Sequence, residues 1–311
     1  MISLIIPCYN VGTLCDSFFE SLINQTYTNI ELIIVDDGSK DDTKEKIYSY
    51  KEQLENKGFI FKYIYQDNKG LGGAINTGLK HFTGEYLCWA DPDDYFTDNS
   101  FEIRLKVFEE NPDVQFIMAN SYYGNINKPL NKNNLLANKF PNHKDAKQFY
   151  YLLRCDSMLC SGAYMVRSDF FCKVNPEKDI YEAKTGQNYQ MLMPIYYNTD
   201  VYFLDKPVYF YNTANVSGLS FSKREYDKKI KGYEDLENTI INTLGRMSIP
   251  KKENKRIVRL VKNNFFKYRL SAATSQKDKA YVRVLLTKDF IKSKPYFKTI
   301  LYAIKLLLKG N

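Results

Sequence analysis

Four short apolar runs within the first 90 residues, each ending in polar or acidic residues, constrain this chain more than any other feature. Ile2 to Pro7 is almost continuously apolar, which predicts a strand buried on both faces of a parallel sheet. Cys8-Tyr9-Asn10 then leaves the sheet, and Leu14, Phe18 and Leu22 recur at the spacing of one buried helix face. Ile30 to Val35 predicts a second strand ending in Asp36-Asp37-Gly38-Ser39, with a helix from about Asp41 to Glu55 capped by Asp41, Asp42 and Thr43. Phe59 to Tyr65 is the third strand, and a helix opens near Gly72 and runs towards Phe82. Tyr86 to Ala90 is the fourth, stopped by Asp91-Pro92-Asp93-Asp94. Such alternation implies an α/β fold with a doubly wound, mostly parallel sheet and right-handed crossovers. In open sheets of this kind ligands bind beyond the carboxyl ends of the strands.

The polar strand ends therefore carry the chemistry. Pro92 cannot continue a paired strand, so the carboxylates around it lie in the turn beyond. Asp91 and Asp93 can converge on one hard divalent cation completed by substrate phosphates. The same residues also describe an acidic turn before a helix that Asp98 or Asn99 caps. Asp37 is placed to accept from a base N–H or a ribose hydroxyl. Gly70-Leu71-Gly72-Gly73 matches neither the dinucleotide fingerprint nor the P-loop, and its glycines equally serve close packing of helix on sheet.

With 311 residues, 44% of them hydrophobic, the chain can bury one large domain and an appendage. The formal charge of +8 suits anionic partners, and basic residues thicken after Lys223. Six cysteines show no Cys-x-x-Cys spacing, and two histidines cannot assemble a zinc site. These features predict a reducing, cytoplasmic setting. The N-terminus lacks a signal-peptide pattern, and no stretch reaches the roughly 18 to 20 apolar residues that span a bilayer.

Beyond residue 100 the pattern predicts a helix after Phe101, a strand at Val114 to Ala119 and a long functional loop at Asn120 to Asn142. A strand at Tyr164 to Val166 follows, then a helix at Tyr189 to Tyr197 that Pro194 should kink or shorten. Val201 to Leu204 and Val208 to Tyr211 read as a short strand pair. From Ser222 the chain is helical and lysine-rich. The expected division is 1–220, with nucleotide-sugar binding in 1–120 and the acceptor side in 121–220, followed by a helical basic region at 221–311.

The motifs Ile5-Ile6-Pro7-Cys8-Tyr9-Asn10, Ser21-Leu22-Ile23-Asn24-Gln25-Thr26-Tyr27 and Glu31 to Thr43 resemble the family-2 glycosyltransferases. Asn68-Lys69-Gly70, Ala74-Ile75-Asn76-Thr77-Gly78-Leu79, Gly84-Glu85-Tyr86 and Asp91-Pro92-Asp93-Asp94 continue the likeness in order, over residues 1 to about 120. The resemblance implies a GT-A nucleotide-diphospho-sugar transferase fold, a nucleotide-sugar donor leaning to UDP, and an inverting mechanism. It implies that Pro7, Tyr9, Asn10 and Asp37 hold the nucleoside, with Asn68 and Gly72 bordering it. Asp91 would meet ribose or metal and Asp93 the diphosphate-bound Mn2+ or Mg2+. Ile75 departs from the arginine that many members carry there.

On the acceptor side the family places an acidic pair where this chain reads Gly186-Gln187-Asn188-Tyr189-Gln190. Glu182 is the nearest carboxylate and the candidate general base, with Asp94 its rival. Gln187, Asn188 and Gln190 could bind sugar hydroxyls, or cap a helix. The expected partners are a nucleotide-sugar donor and a glycan or lipid-linked acceptor, with no nucleic acid. The alternative is a catalytically impaired scaffold or binding protein of the same fold. In the tail, Lys298, Lys305 and Lys309 fall within an arc of roughly 40° on a predicted helix from Tyr296 to Lys309. That stripe suits either peripheral contact with the inner face of a membrane or a helix packed on the domain.

Overall fold

The computed structural model describes residues 1–183, 185–214 and 226–276, and positions 278, 281, 282, 285 and 301. It divides into two compact units, Met1–Val216 and Ser217–Asn311.

The first unit begins as the apolar runs dictate. Its elements are β1 (Ile2–Cys8), α1 (Asp16–Ile23), β2 (Ile30–Asp36), α2 (Thr43–Ser49), α3 (Lys51–Asn56), β3 (Ile60–Tyr65), α4 (Gly70–His81) and β4 (Tyr86–Trp89). There follow β5 (Tyr95–Phe96), α5 (Ser100–Glu110), β6 (Phe116–Gly124), α6 (Phe149–Leu153), β7 (Tyr164–Arg167), α7 (Ser168–Val174), α8 (Gln187–Asn198) and β8 (Tyr202–Asn212). Every residue of β1 and β2 is buried, because branched aliphatic side chains cover both faces. The eight strands form one sheet in the order β3-β2-β1-β4-β7-β6-β8-β5. β1 pairs in parallel with β2 and β4, and β2 with β3, so four carboxyl ends share one edge. β7 runs antiparallel to both β4 and β6. The turn at Asp91 to Asp94 thus links central β4 to the edge strand β5, which pairs with β8.

Four local expectations change. The helix expected from Asp41 to Glu55 is two helices meeting at Tyr50. β6 continues to Gly124, into the stretch expected to be loop, because β8 supplies its parallel partner. The expected strand pair at 201–211 is the single strand β8, bulged where Leu204, Pro207 and Tyr209 face Ala119, Asn120 and Ser121. A bulge absorbs the Asp205-Lys206-Pro207 stretch without ending the pairing. Finally, α8 runs through Pro194 without being shortened. Its core-facing side chains, Met191, Leu192, Met193 and Ile195, are fully buried and outweigh one missing backbone bond.

The second unit contains α9 (Tyr226–Arg246) and α10 (Lys251–Ser275). Pro250 stands just before α10, where its fixed φ suits a helix start. A buried Arg269–Glu237 ion pair ties the two helices, and Phe266, Leu270, Ala273, Val282 and Leu285 form a core cluster. The amphipathic stripe expected at 296–309 lies outside the described residues, apart from the helical position of Leu301. No described helix is long and apolar enough to cross a membrane.

Candidate functional site

The loops leaving β1 and β2 are laced together by side chains. Asn10 adopts a left-handed φ of 51°, its amide donates to Ser39 Oγ at 2.9 Å, and its Oδ1 accepts from the Lys40 amide at 2.9 Å. Val11 N donates to Thr43 Oγ1, and Gly12 N to Asp41 Oδ2. Pro7 is buried in β1, whereas Tyr9 is 49% exposed at the rim. Asp36 accepts from the Ser39 amide and the Tyr63 hydroxyl. Asp37 uses one oxygen, Oδ1, to hold Gln66 Nε2 at 2.6 Å and the Lys69 amide at 2.8 Å. It is only 2% exposed, so this carboxylate also organises the loop that opens α4. On that loop Asn68 Oδ1 accepts from the Gly70 amide.

At the end of β4 the acidic turn is braced from two directions. Ser161 Oγ donates to Asp91 Oδ2 at 2.6 Å, and Tyr209 Oη donates to the Asp91 carbonyl at 3.0 Å. The Asn212 amide donates to Asp94 Oδ1 at 2.7 Å, and Asn212 Nδ2 to the Asp93 carbonyl at 3.1 Å. Loss of hydration pushes Asp91 up to about 6; the Ser161 hydrogen bond opposes this and the charge of Asp93 adds to it. Burial likewise raises Asp94, helped by the charges of Asp91 and Asp93. Asp94 is 2% exposed and committed to β8, so its clearest role is to anchor the turn.

The sequence implies a divalent cation here. Among the described residues no three His, Cys, Asp or Glu side chains cluster into a complete cage. The donor set nevertheless fits a shared site. Asp91 Oδ1 accepts no hydrogen bond from the described residues, Asp93 is partly exposed beside it, and a cation would relieve their mutual repulsion. Hard cations commonly take one or two carboxylates and complete their shell with water and phosphate.

A third group closes on the start of α4. A Cβ on Gly72 would lie 3.6 Å from Glu182 Cα, so the 180–183 segment lies against the first turn of that helix. Asn76 clasps Ile180 through both backbone groups, at 3.0 and 2.7 Å. Glu182 follows two residues after this clasp, with its side chain exposed. Gln187 Nε2 donates to the Ala183 carbonyl and Gln190 Nε2 to the Tyr181 carbonyl, both at 2.8 Å. These two amides hold the segment in place. Asn188 differs, since its Oδ1 accepts from the indole of Trp89, two residues before Asp91. Ile75 is 4% exposed and packs in the core.

Sequence reasoning missed Ser161, Tyr209, Asn212 and Arg104. Ser161, Tyr209 and Asn212 meet the acidic turn from 70 to 119 residues away in no recognised pattern, and Arg104, though near it in the chain, sits on a helix face that read as ordinary.

A model of the family described as Glycosyl transferase family 2 matches residues 3–171. An uncharacterized glycosyltransferase of Rickettsia prowazekii is 36% identical over 116 residues, which are 37% of this chain and 34% of that protein. Glycosyltransferase GlyA of Streptococcus pneumoniae is 36% identical over 114 residues, 36% of this chain and 16% of its own. The matches thus span about a third or less of these relatives' lengths. Among solved structures, S. aureus TarS 1-349 in complex with UDP-GlcNAc aligns with a TM-score of 0.66 at 19% identity, covering 94% of this chain and 81% of its own. The mannosyltransferase PcManGT from Pyrobaculum calidifontis, in complex with GDP-Man and Mn2+, aligns at 0.52 and 14% identity, covering 99% and 86%. At such identities the likeness is one of fold.

Proposed function

The chain belongs to glycosyl transferase family 2 and has the GT-A fold, and from this we propose that it is an inverting, metal-dependent glycosyltransferase using a UDP-sugar donor. The observation that carries the reading is the strand-end edge itself. Asp91 and Asp93 stand in the turn just beyond the central β4, and the neighbouring β1 and β2 end in register at Cys8 and Asp36 on the same edge. The neighbours bound to UDP-GlcNAc, and to GDP-Man with Mn2+, support the same ligand class.

In this reading Asp37, with Oδ1 engaged by Gln66 and Lys69, offers Oδ2 to the base or ribose. Exposed Tyr9 supplies an aromatic face, and Pro7, Asn10, Asn68 and Gly72 border the nucleoside. Asp91 and Asp93 would hold Mn2+ or Mg2+, which when bound supplies charge neutralisation to the leaving diphosphate. Glu182 takes the acceptor hydroxyl's proton, and Asn188 orients that hydroxyl, while Gln187 and Gln190 keep Glu182's segment in register. The acceptor is a glycan or lipid-linked sugar of surface polysaccharide synthesis, met from the inner face of the membrane.

Calorimetry of the full chain with UDP and Mn2+ tests the donor site. Wild type is expected to bind, and Asp91→Ala to lose binding while keeping its circular dichroism. Equal binding by both would refute the assignment. Amides where the family has an acidic pair favour one rival, a binding protein without turnover. Release of UDP from a UDP-sugar, abolished by Glu182→Gln, would dismiss that rival.

A further inference from the structure

The acidic turn is held by a device that none of the strand-end motifs contains. Ser161 opens a short 3-10 turn, Ser161–Ala163, that enters β7, and it is 3% exposed. Its hydroxyl donates to Asp91 Oδ2, leaving Oδ1 as the oxygen without a hydrogen bond among the described residues. A carboxylate held by one oxygen from a rigid turn presents the other in a fixed direction.

The turn's rigidity traces to Arg104. This residue is fully buried on α5, and it makes no ion pair among the described residues. Its guanidinium donates to the carbonyls of Gly162 and Tyr164, at 3.2 and 3.0 Å, and to Ser100 O and Oγ. Phe101 and Phe96 face it at 4.9 and 5.8 Å. Burying a charge without a counter-ion is expensive unless its donors are used, and here they hold the Ser161 turn at Gly162 within it and at Tyr164 just after it. The Tyr164 hydroxyl completes the brace by accepting from the Cys160 amide and donating to the Met158 carbonyl.

We propose that Ser161 is a positioning residue that aims the Asp91 carboxylate at the donor diphosphate site, with Arg104 as the buried anchor of its turn. The proposal rests on the donor-site reading above. It adds a requirement that reading does not contain, that Asp91 works only when Ser161 holds it.

A double-mutant cycle tests this in two readouts. In calorimetry with UDP and Mn2+, Ser161→Ala is expected to weaken binding about tenfold, the size of one lost charge-assisted hydrogen bond. Ser161→Thr, which keeps the hydroxyl, should restore most of the affinity. In an Asp91→Asn background, Ser161→Ala should add far less than in wild type, because its target charge has gone. Arg104→Met, which fills similar space but has no donor for the Gly162 and Tyr164 carbonyls, should reproduce the Ser161→Ala loss; an unchanged affinity would remove Arg104 from the device. The same Ser161/Asp91 cycle is read without ligand, by urea unfolding. Coupling there is expected, and additive effects would overturn the proposal whatever the protein binds. If wild type binds no nucleoside diphosphate, the donor-site reading falls and the aim proposed for Asp91 falls with it, while the unfolding cycle separately reports whether Ser161 holds Asp91. Binding equal to wild type in Ser161→Ala would likewise overturn it.

Discussion

Gly162→Ala should damage the protein far out of proportion to one methyl group. A Cβ there would lie 2.1, 2.3 and 2.4 Å from Cε2, Cζ and Cδ2 of Tyr209. Ordinary carbon contact needs about 3.5 Å, so ring or turn must retreat by about 1.4 Å. Neither has room. The ring is fully buried against Phe96 at 4.8 Å, and the Gly162 carbonyl is held by Arg104. Overpacking of this kind costs about 1–3 kcal/mol. A displaced Tyr209 also gives up its bond to the Asp91 carbonyl, leaving buried groups unpaired for about another 1–3 kcal/mol. The expected loss is therefore about 2–6 kcal/mol. Urea unfolding followed by Trp89 fluorescence is the assay, since Trp89 is the only tryptophan and lies in the first unit. Gly124→Ala is the control, because its Cβ would meet Phe210 at an ordinary 3.5 Å. A Gly162→Ala protein within about 0.5 kcal/mol of that control would refute the packing argument.

Three further outcomes follow from the same geometry. Burial opposes ionisation of Glu31, but hydrogen bonds from Lys62, Ser3 and Thr83 prevail and hold its pKa below the ordinary value. A lowered folded pKa stabilises above the unfolded value and is lost as pH falls through the folded one, so Glu31→Gln should flatten the acid limb of the stability profile below about pH 4.5. An unchanged limb in acid titration monitored by circular dichroism would contradict this. Asp37→Ala should release Gln66 and the Lys69 amide, costing about 1–3 kcal/mol in unfolding assays, and should weaken UDP affinity at least about tenfold. Asn188→Leu leaves the Trp89 indole without its acceptor, and should shift its emission and cost about 1–3 kcal/mol; identical spectra would deny that bond in solution.

The separation of cooperating residues along the chain decides which of them a local pattern can show. β1, β2 and β4 were legible because burial on both faces writes itself into consecutive side chains, β3 by its apolar run although it lies half-exposed at the sheet edge, and their polar ends marked the rim. Asp37, Asp91 and Asp93 could be picked out by position at those ends, before any partner was known. β8 could not, because its bulge depends on pairing with β6, and the Asp205-Lys206-Pro207 stretch between its two apolar runs separated them into an expected pair. α8 kept Pro194 because tertiary burial outweighs a local backbone penalty.

The amino-acid order alone thus determined the α/β alternation, the sheet edge that gathers the polar ends, and which carboxylates stand there. Those features arise from neighbours in the chain, through periodicity and turn chemistry. Only the tertiary structure decided which groups hold those carboxylates. Ser161 and Tyr209 reach Asp91 from 70 and 118 residues away, and Arg104 reaches Gly162 across 58. Contacts at such separations are set by strand order and register, which no local pattern encodes.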